Sequence, residues 1–241
     1  MEMTFERGRI EDKLGFSEAE RLAIVPTAET FVDVGATSQN TFYRRHGKRS
    51  FDITLVLLAA PVWIPLIALL AALVIMDGGN PFYGQSRVGR GGRTFRMWKI
   101  RSMVVGADDV LDQYLSADPA IRAEWDEKQK LEKDPRITRV GKLLRKTSFD
   151  ELPQFWNVLV GDMSLVGPRP MMVDQKMIYP GSAYYALRPG VTGPWQISAR
   201  NRSSFRERAR YDERYLEECS LGHDLRTVLN TVPVVLAGRG V

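Results

Sequence analysis

The sequence predicts an α+β, mostly helical fold, in which a cytosolic domain with a small β-hairpin is anchored by a re-entrant membrane helix hairpin. Residues 53–76, ITLVLLAAPVWIPLIALLAALVIM, form an uncharged apolar run. Residues 82–103 alternate apolar and polar side chains on either side of a Gly-Gly turn, which is typical of a β-hairpin. Charged and amphipathic segments with helical spacing occupy most of the chain that follows.

The apolar run is long enough to enter a membrane. As a straight helix its 24 residues would be about 36 Å long, against a hydrocarbon core of about 30 Å. Basic residues flank the run on both sides, at 44–49 and from Arg87 onward, so the positive-inside bias places both ends in the cytoplasm. Pro61 and Pro65 each remove a helical hydrogen bond near the middle and favour a re-entrant hairpin. A single span and a buried soluble helix are the alternatives.

The chain divides into three regions by composition. Residues 1–46 are predicted to be a poorly ordered tail, residues 47–80 a membrane segment, and residues 81–241 a cytoplasmic domain. The net charge of +5 indicates an anionic partner, such as a nucleic acid, an anionic lipid or a phosphorylated substrate. A single cysteine excludes an intrachain disulfide, and two distant histidines argue against a zinc site.

Two adjacent carboxylates, Asp150 and Glu151, lie in the segment SFDELPQFWNVLVGDMSLVGPRP. Ser148 and Glu151 fit a helix capping box, but Pro153 lacks the N–H that a helix starting at Ser148 would need. We therefore predict that the helix starts at Asp150. Its N-terminus would favour an ionised carboxylate, as a nucleophile or a magnesium ligand requires. Nearby cations suit magnesium-bridged phosphate chemistry, while simple capping stays an alternative.

Several ordered motifs resemble one family. They are KRSFD, FYGQSRVG, FRMWKIRSM, DPRITRVGKLLRKTSFDELPQFWNVLVGDMSLVGPRP and RPGVTGPWQISARN. Together they resemble the bacterial sugar transferases, the small monotopic phosphoglycosyl transferases, and in particular the ExoY-like initiators of exopolysaccharide synthesis. The resemblance covers residues 47–241. Two motifs depart from it: Ala60-Pro61 stands where Ser-Pro is frequent, and Arg87-Val88-Gly89 stands where the family has Arg-Pro-Gly.

The resemblance implies a reaction and a set of site residues. A sugar-1-phosphate, galactose or glucose foremost, passes from a UDP-sugar to polyprenyl (undecaprenyl) phosphate and UMP is released. By the resemblance Asp150 forms a covalent phosphosugar intermediate, Glu151 assists, and Asp150 binds Mg²⁺. The residues that the resemblance and the charge pattern suggest for phosphate contact are Lys99, Arg101, Arg145, Arg169, Arg188 and Arg200, with Gln196 as a polar partner. The membrane break falls at Pro61 and Pro65.

The resemblance also implies a location and partners. The protein is expected in the bacterial inner (cytoplasmic) membrane with its catalytic domain facing the cytoplasm. The UDP-sugar, the polyprenyl phosphate and the membrane are the expected partners, no nucleic acid is expected, and a homo-oligomer stays open. The alternative function is a non-catalytic membrane-anchored scaffold of a polysaccharide assembly complex, and a donor sugar cannot be read from the sequence.

Overall fold

The computed structural model describes residues 42–128, 131, 133–198 and 205–236. This part of the chain is mostly helical and contains two small two-stranded sheets. The predicted N-terminal tail lies outside the described residues except for 42–46, where a π-helical turn, Tyr43–Gly47, leads into the first α-helix.

Helices make up most of the regular structure in the described residues. In chain order, the α-helices are α1 (Lys48–Met76), α2 (Ala107–Ala117), α3 (Pro119–Lys128), α4 (Arg139–Thr147), α5 (Gln154–Val160), α6 (Ala183–Ala186), α7 (Pro194–Ser198), α8 (Arg208–Glu218) and α9 (Leu221–Leu236). The strands are β1 (Phe82–Val88), β2 (Thr94–Ile100), β3 (Ser164–Val166) and β4 (Gly190–Thr192).

The predicted β-hairpin is confirmed. Strands β1 and β2 pair antiparallel, with Tyr83 opposite Lys99 and Arg87 opposite Phe95. Because side chains alternate between the two faces of a strand, Arg87 and Lys99 share one face of the hairpin. The second sheet was not predicted: β3 and β4 pair in parallel over three residues each. It holds the chain that follows β3 against the chain that precedes β4.

Helix α1 carries the apolar run and stays helical through both Pro61 and Pro65. The predicted re-entrant hairpin is therefore not confirmed, and it stays a prediction. Among the described residues α1 with the preceding turn, Tyr43–Met76, is the one helix that is long and apolar enough to cross a membrane. Only 17% of its most apolar window is buried. Apolar side chains in its middle are exposed, among them Leu58 (71%), Val62 (71%) and Leu69 (60%).

Both ends of α1 pack on the same globular part of the protein. At about 100° per residue, the residues that contact the domain share one helix face, and Pro61 and Pro65 fall on the opposite one. Trp63 contacts Phe155 edge-on at 5.7 Å between ring centroids, and its Nε1 donates to the Val56 carbonyl at 3.0 Å. The face toward the domain carries Asp52, Val56, Trp63, Leu70 and Val74. A proline opens a helix on its own side, so any bend in α1 is directed toward the domain.

The N-terminal end of α1 is attached to the domain by buried polar contacts. Asp52, fully buried, accepts from Ser164 Oγ at 2.7 Å and from the backbone N–H of Leu165 at 3.0 Å, both in β3. Lys48 Nζ forms an ion pair with Asp224 of α9 at 2.7 Å. A buried carboxylate and a buried ammonium are tolerated in this position because each has its partners. These contacts fix the N-terminal end of α1 relative to β3.

Candidate active site

The acidic pair lies in a tight turn between two helices. Helix α4 ends at Thr147, Ser148 adopts the left-handed conformation (φ 58°), and Phe149–Glu151 forms a 3₁₀ turn. Helix α5 begins only at Gln154, with Pro153 as its N-cap residue. The prediction that the helix starts at Asp150 is wrong, because the left-handed Ser148 redirects the chain and makes a separate turn before the proline. Ser148 is the C-cap residue of α4, and its N–H bonds to the carbonyls of Leu144 and Arg145, so the left-handed conformation ends that helix.

Lys99 of β2 joins the two carboxylates. Its ammonium lies 2.9 Å from Glu151 Oε1 and 3.4 Å from Asp150 Oδ2. Burial lowers the pKa of Lys99, but Glu151 and Asp150 outweigh this effect and the pKa stands above its usual value. Burial raises the pKa of Asp150, Glu151 raises it further, and Lys99 and Arg145 oppose both. The sequence predicted that a helix end favours the ionised form of Asp150, whereas in the structure its pKa is set by burial and Glu151 on one side and by Lys99 and Arg145 on the other.

The side chain of Asn157 fixes β2 against α5. Its Oδ1 accepts from the Trp98 N–H at 3.0 Å and its Nδ2 donates to the Arg96 carbonyl at 2.8 Å. Asn157 is 1% exposed. The amide therefore hydrogen-bonds to the backbone edge of β2 as a neighbouring strand would. Because Lys99 follows Trp98 in β2, this contact positions Lys99 relative to the acidic turn.

A small cavity opens beside the acidic pair. Its polar side chains come from both strands of the hairpin, the acidic turn, α5, the loop after β3 and α7: Arg87, Lys99, Glu151, Gln154, Arg169 and Gln196. Asp150 does not line it and has a side chain only 12% exposed, whereas that of Glu151 is 23% exposed. The structure thus brings the predicted residues Lys99, Glu151, Arg169 and Gln196 together at the cavity. Asp150 lies outside the lining and is linked to it by its ion pair with Lys99.

Arg87 and Gln154 belong to this cavity and were not among the predicted site residues. Burial lowers the pKa of Arg87, and the positive charge of Arg169 lowers it further. Its Nε is buried and has no hydrogen-bond partner in the described part of the chain. Two neighbouring guanidinium groups beside a cavity indicate an anion site, because a bound anion would relieve their repulsion. Two-residue alternation along a paired hairpin, applied from Lys99, would have pointed to Arg87.

Three of the predicted cationic residues, Arg101, Arg145 and Arg188, do not line the cavity. Arg101 Nη2 donates to the carbonyls of Val74 (3.1 Å) and Gly78, so it caps the C-terminal end of α1. Arg188 Nε donates to the Gly161 carbonyl at 2.9 Å, after the C-terminus of α5.

Arg145 bonds to Ser102 Oγ at 2.9 Å and influences Asp150 electrostatically. Arg200 lies outside the described residues. Arg101 and Arg188 are thus assigned to helix ends rather than to the cavity.

The carboxylates of Asp150 and Glu151 suit magnesium by their chemistry. Mg²⁺ prefers oxygen ligands, keeps several waters and is held in phosphate-transfer sites by one or two carboxylates together with substrate phosphates. Within the described ranges no cluster of three or more His, Cys, Asp or Glu side chains exists that would hold a metal without a substrate. The donor set therefore fits a magnesium ion shared with a phosphorylated substrate.

A carboxylate pair bridged by a lysine, with two arginines that line the same cavity, is the arrangement expected of an anion-binding site. It is carried by a domain that packs against an exposed apolar helix, as expected of a protein that works at a membrane. Residues 43–238 match the bacterial sugar transferase family. With this match and the relatives described next, the chain belongs to that family.

Curated relatives extend the match. A UDP-galactose-lipid carrier transferase of Erwinia amylovora is 47% identical over 195 residues, 80% of this chain and 41% of the relative. The exopolysaccharide production protein ExoY of Sinorhizobium fredii is 45% identical over 196 residues, 80% of this chain and 87% of the relative. An undecaprenyl-phosphate galactose phosphotransferase of Salmonella typhimurium is 44% identical over 207 residues, 84% and 44%. The chain spans about two fifths of the first relative and most of the second.

Proposed function

We propose that this protein transfers a sugar-1-phosphate from a UDP-sugar to polyprenyl phosphate, as the first membrane step of exopolysaccharide synthesis. The observation that carries the proposal is the Lys99 ammonium between Asp150 and Glu151, beside a cavity with Arg87 and Arg169. Relatives named for galactose phosphate transfer and exopolysaccharide production support the class of reaction, and galactose or glucose is the proposed sugar.

The first chemical step forms a covalent intermediate. A carboxylate oxygen of Asp150 attacks the phosphorus that bears the sugar, and the bond from that phosphorus to the bridging oxygen breaks. The bridging oxygen leaves with its electron pair as part of UMP. Lys99 keeps a positive charge 3.4 Å from Asp150, which favours the ionised form that a nucleophile needs despite the burial.

The second step transfers the phosphosugar to the lipid. A phosphate oxygen of the polyprenyl phosphate attacks the same phosphorus, the bond to Asp150 breaks, and the carboxylate is regenerated. Glu151, which lines the cavity, takes a proton from a lipid phosphate that arrives as the monoanion. The product is a polyprenyl diphosphate sugar.

The cations of the cavity hold the phosphates. Arg87 and Arg169 supply planar donors that match phosphate oxygens, and Lys99 supplies a point charge. Asp150 and Glu151 are the residues that would hold a magnesium ion. When bound, the metal supplies neutralising charge for the phosphate oxygens.

The membrane topology is part of the proposal. Both ends of α1 contact one domain, the middle is apolar and exposed, and the two prolines lie on the face away from the domain. These contacts support a re-entrant anchor that enters and leaves the inner membrane on the cytoplasmic side. The site then lies where a water-soluble nucleotide sugar and a membrane lipid phosphate can meet.

Cysteine labelling tests this topology. Ser50→Cys and Met76→Cys introduce thiols at exposed positions near the two ends of α1. The native Cys219 is buried, and the unsubstituted protein reports its background. We expect an impermeant reagent to label both variants from the cytoplasmic side of inverted vesicles. A variant labelled only from the periplasmic side would contradict the re-entrant anchor.

The reaction is tested with radiolabelled UDP-hexoses, polyprenyl phosphate and magnesium. We expect UMP and a lipid-bound sugar phosphate in equal amounts. Asp150→Asn should abolish both products and any trapped phosphosugar adduct, whereas Asp174→Asn, at an exposed carboxylate, should keep full activity. Near-normal turnover by Asp150→Asn would refute the nucleophile. No product from any UDP-hexose with the intact protein would favour a non-catalytic scaffold.

A further inference from the structure

The turn that carries Arg169 has every backbone carbonyl from residue 168 to residue 171 engaged in a hydrogen bond. Two of the donors are backbone N–H groups and two are arginine side chains. The donor and acceptor pairs are Gly190 N to Pro168 O (2.8 Å), Arg208 Nη2 to Arg169 O (2.7 Å), Arg87 Nη1 to Pro170 O (3.4 Å) and Val88 N to Met171 O (3.0 Å). The turn is therefore held by three segments of the chain, namely β1, β4 and α8.

The base of the turn leaves no room for side chains. A Cβ at Gly167 or Gly190 would overlap the backbone of the other segment. The hydroxyl of Tyr184 accepts from the Met171 N–H at 3.2 Å and donates to the Val88 carbonyl at 2.5 Å. These contacts order the backbone on either side of Arg169, but among the described residues only Arg208 bonds to the carbonyl of Arg169 itself.

Arg208 is an unusual residue for a backbone contact. It is 7% exposed, and its guanidinium lies 5.0 Å from the ring centre of Trp195 and 4.9 Å from that of Phe205. Burying a guanidinium is costly, and a neutral donor would satisfy one carbonyl. Two aromatic faces hold its plane in a fixed orientation, and the charge lies directly behind a turn that faces an anion site.

The acidic neighbour of Arg208 is itself engaged. Asp212 lies one turn further along α8, is 4% exposed and accepts from the Tyr179 hydroxyl at 2.7 Å. Burial raises the pKa of Asp212 to about 7. Burial likewise lowers the pKa of Arg208, while Asp212 opposes this shift. Behind the turn, Tyr179 thus bonds to Asp212, and Asp212 acts on Arg208 through its charge.

We propose that Arg208 is a positioning residue for Arg169, holding the Arg169 backbone so that its side chain stays at the cavity rim opposite Lys99 and Glu151. Arg208 does not touch the substrate. Its effect passes through Arg169, so the inference rests on the proposed function, in which Arg169 binds a phosphate of the UDP-sugar.

A double-mutant cycle tests the proposal on the full-length protein in detergent. The variants are Arg208→Gln, Arg169→Gln and the combination of both, and the measurements are KM for the UDP-sugar, kcat, and the dissociation constant of UMP by calorimetry. Arg210→Gln is the matched control, since it removes an exposed arginine from the same helix. A charge-assisted hydrogen bond corresponds to roughly a tenfold to hundredfold change in an equilibrium constant.

We expect Arg208→Gln to raise KM and the UMP dissociation constant about tenfold. In the Arg169→Gln background the same change should have less than about a twofold effect, because nothing is left to position. Arg210→Gln should stay within about twofold of the unsubstituted protein. A merely structural role would lower the thermal midpoint and reduce activity by the same factor in both backgrounds.

If the losses caused by Arg208→Gln and Arg169→Gln multiply in the double variant, the proposal is overturned. It is also overturned if KM and the UMP dissociation constant of Arg208→Gln equal those of Arg210→Gln. If Arg208→Gln does not fold, Arg208→Lys keeps the charge and loses the planar fork. Its KM should then rise about threefold with Arg169 present and stay unchanged in Arg169→Gln. An intact protein that forms no product defeats the proposed function, whereas an active protein with multiplying losses defeats only the role of Arg208.

Discussion

Asn157→Leu removes both hydrogen bonds that tie α5 to β2 while keeping the size of the side chain. The Trp98 N–H and the Arg96 carbonyl lose their partners at distances of 3.0 and 2.8 Å. An unpaired buried polar group costs about 1–3 kcal/mol, and since these bonds are partly buried we expect a loss of about 2–4 kcal/mol in unfolding free energy. For a protein of this size that corresponds to a thermal midpoint lower by roughly 5–15 °C.

Thermal unfolding in detergent, followed by tryptophan fluorescence, measures this loss. The matched control is Asn80→Leu, because Asn80 is exposed and only accepts from the Phe82 N–H at 2.9 Å. We expect the control to change the midpoint by less than about 2 °C. The kcat of Asn157→Leu should also fall, since Lys99 follows Trp98 directly in β2. A midpoint for Asn157→Leu equal to that of Asn80→Leu would refute the reasoning that this amide sets the strand against the helix.

Three further predictions concern charges and the end of α1. Lys99→Met removes the cation that lowers the pKa of Asp150, so the acidic limb of the kcat–pH profile should move to higher pH. The control Lys99→Arg keeps the charge and should leave the limb in place. An unchanged limb in Lys99→Met would exclude Lys99 as the charge that controls this pKa. Asp212 has a pKa raised from 3.8 to about 7, so the folded protein binds the extra proton between these values and its unfolding free energy should fall as pH rises through this window, by at most on the order of 4 kcal/mol. Asp212→Asn should flatten that dependence in denaturant titrations, and a slope equal to that of the unsubstituted protein would exclude Asp212 as its source. Arg101→Gln should destabilise the C-terminal end of α1, which hydrogen exchange at residues 74–78 would show as faster exchange. Unlike Arg169→Gln, it should not raise KM for the UDP-sugar. A rise in KM equal to that of Arg169→Gln would indicate that Arg101 contacts the phosphate.

The elements with clear periodicity were predictable from the sequence. The hairpin follows from two-residue alternation and the helical segments after it follow from helical spacing, and the structure confirms both. Strands β3 and β4 were not predicted, because three-residue strands show no alternation and their pairing joins segments about 25 residues apart, a distance that local patterns do not encode.

The start of α5 shows how local rules compete. The capping box favoured a helix start at Ser148, and the position of Pro153 moved the predicted start to Asp150. In the structure the left-handed Ser148 inserts a 3₁₀ turn before the helix, which begins only at Gln154. Serine has no strong preference for that conformation, so the sequence carries no mark of the turn. The acidic pair itself was predicted as a site, whereas its electrostatic setting depends on burial and on Lys99, which only the folded chain brings together.

The cationic residues divide according to the same logic. Charge alone does not separate an arginine that binds an anion from one that caps a helix, because free carbonyls at a helix C-terminus attract the same guanidinium as a phosphate does. Arg101 and Arg188 are held by such carbonyls, and Arg87 by its position on the face of Lys99. Strand register places Arg87 at the cavity, and the turn after β3 places Arg169 there, whereas composition alone marks neither.

The contacts of Asp52 and Lys48 make α1 more than a tether. Asp52 binds β3, which continues directly into the turn of Arg169, and Lys48 neutralises Asp224 inside the domain. A truncation that begins after residue 80 would remove the ammonium that neutralises the buried Asp224 and the carboxylate that accepts from Ser164 Oγ and the Leu165 N–H. We therefore expect deletion of the apolar segment to destabilise the domain, and another membrane anchor to replace α1 fully only if it carries these two polar residues in the same helical register.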